Sequence, residues 1–268
     1  MPTEPTVVPR PNALSEPVTY RSAVQRLRSA QKPAGRGAPA YSIYVNRRLG
    51  RYLAAAAFRA GLTPNQVTLI SATLTFLAIA ALAVLPAGTV LGIAVTVLLA
   101  LGYAFDAADG QLARLRGGGS AAGEWLDHVV DAIKSSALHG AVLLSAYRFL
   151  PASQRGWLLL PLGFMVVAAV SFAVFLLNDL LKAARAKRDT TSVIRTGSTP
   201  LRALLGAPTD YGVLVYVFLF LGLPAVFLTV YGLLFAASLG YLLLALPKWF
   251  RDMTALDTPS ARPLRGDL

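Results

Sequence analysis

A stretch of the chain from Ala60 to Phe105 contains no Asp, Glu, Lys or Arg. A run of this length exceeds one buried element of a soluble protein, because even a membrane-spanning helix needs only about 20 apolar residues. Of all residues, 55% are hydrophobic and 14% are charged, whereas soluble domains carry about 25% charged residues. The sequence therefore predicts an all-α integral membrane protein. It excludes a soluble enzyme, a disordered chain and, since there is no Cys, a disulfide-linked secreted domain.

The apolar segments predict six transmembrane helices, preceded by an interfacial helix. Residues 41–61 alternate apolar side chains with arginines, which is typical of a basic amphipathic helix at a membrane surface. Thr63 and Pro64 are typical of the first residues of a helix and predict where the first span begins. The fifth and sixth spans divide near either Pro224 or Gly232. In order, the expected spans are about 65–85, 88–105, 123–147, 157–178, 211–230 and 231–246.

The two ends of the chain lack sustained apolar periodicity. Residues 1–40 are expected to form a disordered cytoplasmic tail and residues 251–268 a flexible one, on either side of a six-helix membrane domain at 62–250. No apolar core of signal-peptide length lies near Met1, so no cleaved leader is expected. Basic residues concentrate before the first span and between the fourth and fifth, and the positive-inside bias then places both termini in the cytoplasm.

The net charge of +12 is consistent with this topology and with attraction to anionic lipid headgroups. Because no nucleic-acid-binding motif accompanies the charge, membrane lipids are the expected partners and nucleic acid is not. Small residues of the last span, among them Gly232 and Gly240, predict close helix packing or a homodimer contact.

Five of the 13 acidic residues lie close together, at the ends of two apolar helices. Asp106 and Asp109 are spaced i, i+3, and Asp127 and Asp131 are spaced i, i+4, so each pair shares one helix face. The Gly-rich segment 117–120 lets the two helices fold back as a hairpin. The four carboxylates then converge at the cytoplasmic membrane boundary, where their repulsion requires a cation.

The acidic residues offer only oxygen ligands, which favour hard ions such as Mg²⁺, Mn²⁺ or Ca²⁺. Four carboxylates can hold two divalent cations, an arrangement used in phosphoryl and phosphodiester chemistry. Gly110 and Ala113 leave one helix face without bulk, and Arg114 offers a guanidinium suited to phosphate. The residues alone leave three interpretations open: an enzyme acting on phosphate compounds, a divalent-cation transporter and an inactive membrane scaffold.

The acidic segment resembles the signature of the CDP-alcohol phosphatidyltransferase family, D-x2-D-G-x2-A-R-x8-G-x3-D-x3-D. All eight positions match, at Asp106, Asp109, Gly110, Ala113, Arg114, Gly123, Asp127 and Asp131. The segment Thr63-Pro64-Asn65-Gln66 also resembles the start of the family's first span, and the family has six spans. The similarity therefore covers about residues 41–250.

The resemblance implies an enzyme that transfers the phosphoalcohol group of a CDP-linked lipid donor, usually CDP-diacylglycerol. The acceptor is the hydroxyl of a small alcohol, CMP is released, and the product is a phospholipid. The resemblance also implies two divalent cations, Mg²⁺ or Mn²⁺, bound by Asp106, Asp109, Asp127 and Asp131. Asp131 corresponds to the proposed general base, and the positions that hold the CDP moiety are Gly110, Ala113, Arg114 and Gly123.

The identity of the acceptor stays open. The segment Gly123–His128 resembles the choline/ethanolamine phosphotransferase branch, and a CDP-inositol donor is a further alternative. The start of the first span instead resembles bacterial and archaeal members, including those that use inositol phosphates, which implies a bacterial cell membrane with the active site on the cytoplasmic side. Lys134, Arg195 and Arg202 are candidates to bind an anionic acceptor.

Overall fold

The computed structural model describes residues 19–29, 39–188 and 209–257, which contain eight α-helices and no strand. The helices are α1 Tyr20–Ser29, α2 Arg47–Arg59, α3 Pro64–Val84, α4 Thr89–Leu115, α5 Ala121–Phe149, α6 Leu159–Arg188, α7 Tyr211–Val217 and α8 Pro224–Asp257. A π-helical turn, Ser42–Asn46, precedes α2, and the 3-10 helices Ala152–Leu158 and Phe218–Gly222 precede α6 and follow α7. The predicted all-α fold class is confirmed.

Five helical segments are long and apolar enough to cross a membrane: α3, α4, α5, α8, and α6 together with the 3-10 helix before it. Between α6 and α8, the described residues contain a shorter apolar helix, Tyr211–Gly222. The last two predicted spans divide at Pro224, where α8 begins, because proline is well suited to the first position of a helix. By the length and composition of its helices, the chain is a multi-pass membrane protein.

The start of α3 is fixed by a reciprocal pair of hydrogen bonds. The backbone N–H of Gln66 donates to Thr63 Oγ1 at 3.2 Å, and the backbone N–H of Thr63 donates to Gln66 Oε1 at 2.8 Å. Pro64 occupies the first helical position, so the predicted start of this helix is confirmed. The capping box therefore fixes where α3 begins after α2.

The turn between α4 and α5 depends on glycine. Gly117 and Gly118 have φ values of +95° and +142°, which L-residues with a Cβ rarely adopt. Ser120 then caps α5 by accepting a hydrogen bond from the Gly123 N–H at 3.0 Å. The chain therefore reverses here, and α3 packs against both α4 and α5, so that the acidic ends of these two helices meet beside it.

The helix α2 lies across the acidic half of α4. A Cβ added at Gly50 would lie 2.8 Å from the Cβ of Ala107, so the two backbones approach closely there. Gln111 also donates through Nε2 to the carbonyl of Arg47 at 3.1 Å. The helix that carries the first two aspartates is thereby held by α2 on one side and by α3 on the other.

Helices extend beyond several predicted boundaries. Within residues 1–40, for which the composition predicts a disordered tail, α1 forms and packs on α2 through the buried Ala23 and Leu27. Two buried residues are too few to give a periodic signal, because this helix depends on tertiary packing. At the other end α8 continues to Asp257, past the predicted end of the membrane domain at residue 250, and α6 continues beyond residue 178 to Arg188.

Candidate metal and substrate site

A stripe of hydroxyl side chains on α3 faces the acidic half of α4. Thr68 donates through Oγ1 to Asp109 Oδ2 at 2.7 Å, and Ser71 donates through Oγ to the carbonyl of Gly102 at 2.8 Å. Both hydroxyls are buried, and a hydroxyl within an apolar bundle needs a hydrogen-bond partner. The first span therefore supplies the polar wall on which the acidic residues are arranged.

Three of the four predicted metal ligands come together at this wall. Asp106 from α4 and Asp127 and Asp131 from α5 each place a carboxylate oxygen within 4.8 Å of the others. All three side chains are partly exposed, so a ligand can reach them. Three oxygens from three different carboxylates form a donor set that fits a hard divalent cation such as Mg²⁺ or Mn²⁺. We refer to these three residues together as the carboxylate group, a name that here means the cluster of all three aspartates and not the carboxylate of one side chain.

Lys134 places an ammonium inside the carboxylate group. Its Nζ lies 2.5 Å from Asp106 Oδ1 and 3.2 Å from Asp131 Oδ1, and it donates to Ser71 Oγ at 3.1 Å. The residue is 7% exposed, so these contacts are formed away from bulk water. With all three carboxylates charged, the ammonium leaves a net charge of about −2, which matches one divalent cation.

Asp109, the fourth predicted metal ligand, lies outside the carboxylate group. One of its oxygens accepts the hydrogen bond from Thr68, the other lies against the backbone N–H of Gly110, and the residue is 6% exposed. The carboxylate is therefore fixed by the protein itself. Its role as a metal ligand stays a prediction.

The hydrogen bond from Thr68 gives a testable stability prediction. We expect Thr68→Val to lower the free energy of unfolding by about 1–3 kcal/mol, because a buried oxygen of Asp109 loses its hydroxyl donor. The matched control is Thr73→Val, since Thr73 is exposed on the same helix and its hydroxyl donates to the carbonyl of Leu69 one turn earlier. Thermal unfolding in detergent without added metal measures both. Equal melting temperatures for the two variants would contradict the prediction.

The predicted CDP-binding residues lie on both sides of the α4–α5 turn. Gly110 and Arg114 are exposed on α4, with Ala113 partly buried between them, and a Cβ added at Gly110 would meet Nη1 of Arg114 at 3.7 Å. On α5, a Cβ added at Gly123 would lie 2.8 Å from Asn65 Oδ1. The first turn of α3 therefore reaches the start of α5, beside the turn that joins the acidic helices.

Of the three predicted acceptor-binding residues, the structure describes Lys134. Arg195 and Arg202 lie outside the described residues. The Nζ contacts of Lys134 go to the carboxylate group and Ser71, so its suggested role toward an anionic acceptor stays a prediction.

A pocket of about 200 Å³ opens beside the carboxylate group. Its lining residues are Thr75, Tyr103, Asp106, Asp131, Lys134, Ser135, Phe172 and Tyr211. Neither tyrosine is among the site residues predicted from the sequence. Tyr103 could have been found, because it precedes Asp106 by three residues and therefore shares its helix face. No local pattern brings Tyr211, which is distant in the sequence, to the same pocket.

Asp210 fixes the position of Tyr211. This carboxylate is 2% exposed, and it accepts hydrogen bonds from the N–H of Gly212 at 2.9 Å and from the N–H of Ser42 at 3.2 Å. Burial raises the pKa of the Asp210 carboxyl above its ordinary value, and the two backbone donors oppose that effect. Asp210 thus joins the start of α7 to the π-helical turn before α2.

The comparison with protein families gives one match that spans most of the chain. The family model described as CDP-alcohol phosphatidyltransferase matches residues 61–246. This range contains α3 to α7, the carboxylate group and the part of α8 up to residue 246.

Individual proteins match this chain either over a short segment or at low sequence identity. A phosphatidylinositol phosphate synthase from Corynebacterium glutamicum is 46% identical over 80 residues, which are 30% of this chain and about a third, 35%, of that relative's length. Two crystal structures of the Mycobacterium tuberculosis phosphatidylinositol phosphate synthase are also similar. The structure with CDP-DAG bound has a TM-score of 0.47 and 21% identity, over 77% of this chain and 94% of that one. The complex with manganese and citrate has a TM-score of 0.47 and 22% identity, over 74% of this chain and 87% of that one.

Proposed function

This chain belongs to the CDP-alcohol phosphatidyltransferase family, and on that premise we propose that it transfers the phosphatidyl group of CDP-diacylglycerol to a polyol acceptor. The proposed products are a phospholipid and CMP. The first candidate for the acceptor is an inositol phosphate, because the 80-residue match is to a phosphatidylinositol phosphate synthase.

The observation that carries the proposal is the carboxylate group itself. Three aspartates from the family signature, Asp106, Asp127 and Asp131, offer oxygens within 4.8 Å of one another in the half of the α4–α5 hairpin that is nearer its turn. The donor of the proposed reaction carries a diphosphate, whose negative charge needs divalent cations to be held beside carboxylates. The chemistry of the donor and the composition of the site therefore complement each other.

The carboxylate group and Asp109 would hold two Mg²⁺ or Mn²⁺ ions, as the family signature implies. When bound, these ions neutralise the diphosphate and stabilise CMP as the leaving group. On the exposed face of α4, Arg114 offers a guanidinium fork to phosphate oxygens, and Gly110 leaves room for the nucleotide.

In the proposed reaction Asp131 acts as the general base. It takes the proton from the acceptor hydroxyl as the oxygen attacks the phosphorus of the phosphatidyl group. The bond between that phosphorus and the oxygen of the CMP phosphate breaks, and CMP leaves with the electron pair. Lys134 contacts Asp131 at 3.2 Å and thereby helps to keep this carboxylate charged and oriented.

A divalent-cation transporter is the alternative from another functional class. Lys134 argues against it, because a buried ammonium 2.5 Å from Asp106 would repel a divalent cation moving along a path through the group. The carboxylates also lie in the halves of α4 and α5 that are nearer the turn between them, and the described residues contain no second group of this kind. Both features favour a site at which substrate reacts.

We further propose that the protein lies in a bacterial cell membrane with both termini and the carboxylate group on the cytoplasmic side. The basic residues before α3 and near the end of α6 support this orientation through the positive-inside bias. A homodimer through the last helix also stays a proposal. Gly232 faces Leu160 of the same chain, whereas a Cβ added at Gly240 would meet no atom of the described residues within 4 Å.

The proposed activity predicts metal-dependent release of CMP. We expect purified protein in detergent to form CMP from CDP-diacylglycerol with Mn²⁺ and inositol 1-phosphate, and to lose this activity when EDTA removes the metal. Inositol, glycerol 3-phosphate, serine and phosphatidylglycerol serve as competing acceptors. If CMP is released only from CDP-choline, CDP-ethanolamine or CDP-inositol, that compound is the donor in place of CDP-diacylglycerol. No CMP from any donor would contradict the proposed activity.

A further inference from the structure

The pocket beside the carboxylate group extends into the helix bundle. Tyr103 precedes Asp106 by three residues, and Lys134 and Ser135 follow Asp131 by three and four residues, so these side chains lie one helical turn further from the α4–α5 turn. The carboxylates form the outer end of the pocket, and a compound that fills it would lie directly beside Asp131.

The exposed wall of the pocket is mainly apolar, and four of the lining side chains carry a hydroxyl. Thr75, Ser135, Tyr103 and Tyr211 each contribute a hydroxyl-bearing side chain, and Phe172 contributes an apolar surface. Hydroxyls and ring faces suit the polyhydroxy part of an acceptor, because each hydroxyl can both donate and accept a hydrogen bond and the rings pack on its carbon skeleton. An acyl chain would leave the hydroxyl of Tyr211 unpaired, whereas the hydroxyl of Ser135 already donates to the carbonyl of Ala132 at 3.0 Å.

The hydroxyl of Tyr211 is buried and has no hydrogen-bond partner among residues 19–29, 39–188 and 209–257. Other buried hydroxyls of the bundle are paired. Tyr231, for example, lies 2.7 Å from His139 Nδ1, and Ser71 donates to the carbonyl of Gly102. A buried polar group without a partner is uncommon in folded proteins and needs an explanation.

Packing holds Tyr211 in place without the help of its hydroxyl. Its ring meets the ring of Tyr103 edge-on, with the centroids 5.1 Å apart. The adjacent Asp210 is tied to the π-helical turn before α2 through Ser42, and a Cβ added at Gly212 would overlap the ring of Tyr41. The hydroxyl is therefore fixed in advance at the wall of the pocket, as expected for a group that binds a ligand.

We propose that the Tyr211 hydroxyl binds a hydroxyl group of the acceptor, next to the one that Asp131 deprotonates, and so favours polyhydroxy acceptors over simple alcohols. This inference rests on the proposed function. The diphosphate of the donor is accounted for by the carboxylate group and the exposed Arg114, which leaves the inner pocket to the acceptor. Tyr211 is then a residue that determines acceptor specificity.

The test compares Tyr211→Phe with Tyr231→Phe, which removes a buried tyrosine hydroxyl that does not line the pocket. For Tyr211→Phe we expect the KM for inositol 1-phosphate to rise about tenfold, because one hydrogen bond to the acceptor is lost. The kcat and the KM for CDP-diacylglycerol should stay within about twofold of wild type. The melting temperature without acceptor should not fall, because the hydroxyl that is removed has no partner.

The control variant is expected to change the melting temperature and not the KM for the acceptor. Tyr231→Phe should lower the melting temperature, because the contact with His139 is lost, and it should leave the KM for the acceptor unchanged. An unchanged acceptor KM in Tyr211→Phe, or a changed KM for CDP-diacylglycerol alone, would overturn the inference. So would a fall in its melting temperature equal to that of the control.

A binding measurement separates this inference from the proposed function. The probes are millimolar inositol 1-phosphate and inositol, and the readout is the rise in melting temperature that each produces. If the wild type releases no CMP but is stabilised by a probe, and Tyr211→Phe is not, the proposed activity fails and the acceptor site stands. If neither protein is stabilised by a probe, or both are stabilised equally, the acceptor site is refuted, whatever the CMP assay shows.

Discussion

Asp131→Asn is expected to reduce the rate of CMP release by about 10²–10⁴-fold, the usual contribution of a positioned general base. An amide has nearly the shape of the carboxylate but does not accept a proton from the acceptor hydroxyl. The variant also lowers the negative charge of the carboxylate group, which weakens the binding of divalent cations. Lys134 retains its contacts with Asp106 and Ser71, so the protein is expected to fold.

The control for this variant is Glu124→Gln. Glu124 belongs to the same helix as Asp131, but its side chain is exposed and lies 3.9 Å from His128, outside the carboxylate group. The rate of CMP release by Glu124→Gln should stay within about twofold of wild type. If Asp131→Asn turns over as fast as Glu124→Gln at saturating Mn²⁺, Asp131 is not the base.

Lys134→Met is expected to lower the free energy of unfolding by about 3–5 kcal/mol when no divalent cation is present. The substitution keeps most of the buried side chain but removes the ammonium, so Asp106 and Asp131 face each other without a compensating charge. Bound Mn²⁺ supplies positive charge at the same carboxylates. Most of the lost stability should therefore return when the metal is added.

Thermal unfolding in detergent, with EDTA and then with saturating Mn²⁺, measures this effect. The matched control is Lys248→Met, because Lys248 is exposed and pairs with Asp252 one helical turn away, a contact that contributes about 0.5 kcal/mol or less. If Lys134→Met loses the same unfolding free energy with and without Mn²⁺, the ammonium and the metal do not act on the same carboxylate charges.

The features that depend on neighbouring residues could be predicted from the sequence. Thr63 and Pro64 begin α3, and Gly117 and Gly118 form the turn before α5, because caps and turns of this kind depend on the chemistry of a few consecutive residues. The helical spacing of Asp127 and Asp131 likewise places both on one face, and the structure brings them together with Asp106.

The features that depend on distant residues could not be predicted in this way. Asp109 shares a helix face with Asp106, yet its carboxylate accepts a hydrogen bond from Thr68, which lies on another helix. The helix α1 exists through its contacts with α2, and Tyr211 reaches the pocket through the packing of α7. In each case the deciding contact joins parts of the chain that no local pattern relates.

The α4–α5 hairpin also implies an order of assembly. The carboxylate group and Lys134 lie within 29 consecutive residues, from position 106 to position 134, so these contacts have short loops to close and form early. During synthesis, the carboxylates and their compensating ammonium therefore enter the membrane together, before α6 to α8 have been made. Tyr211 is added only after more than 70 further residues. A nascent chain thus acquires its capacity to bind metal ions before it acquires the means to select an acceptor.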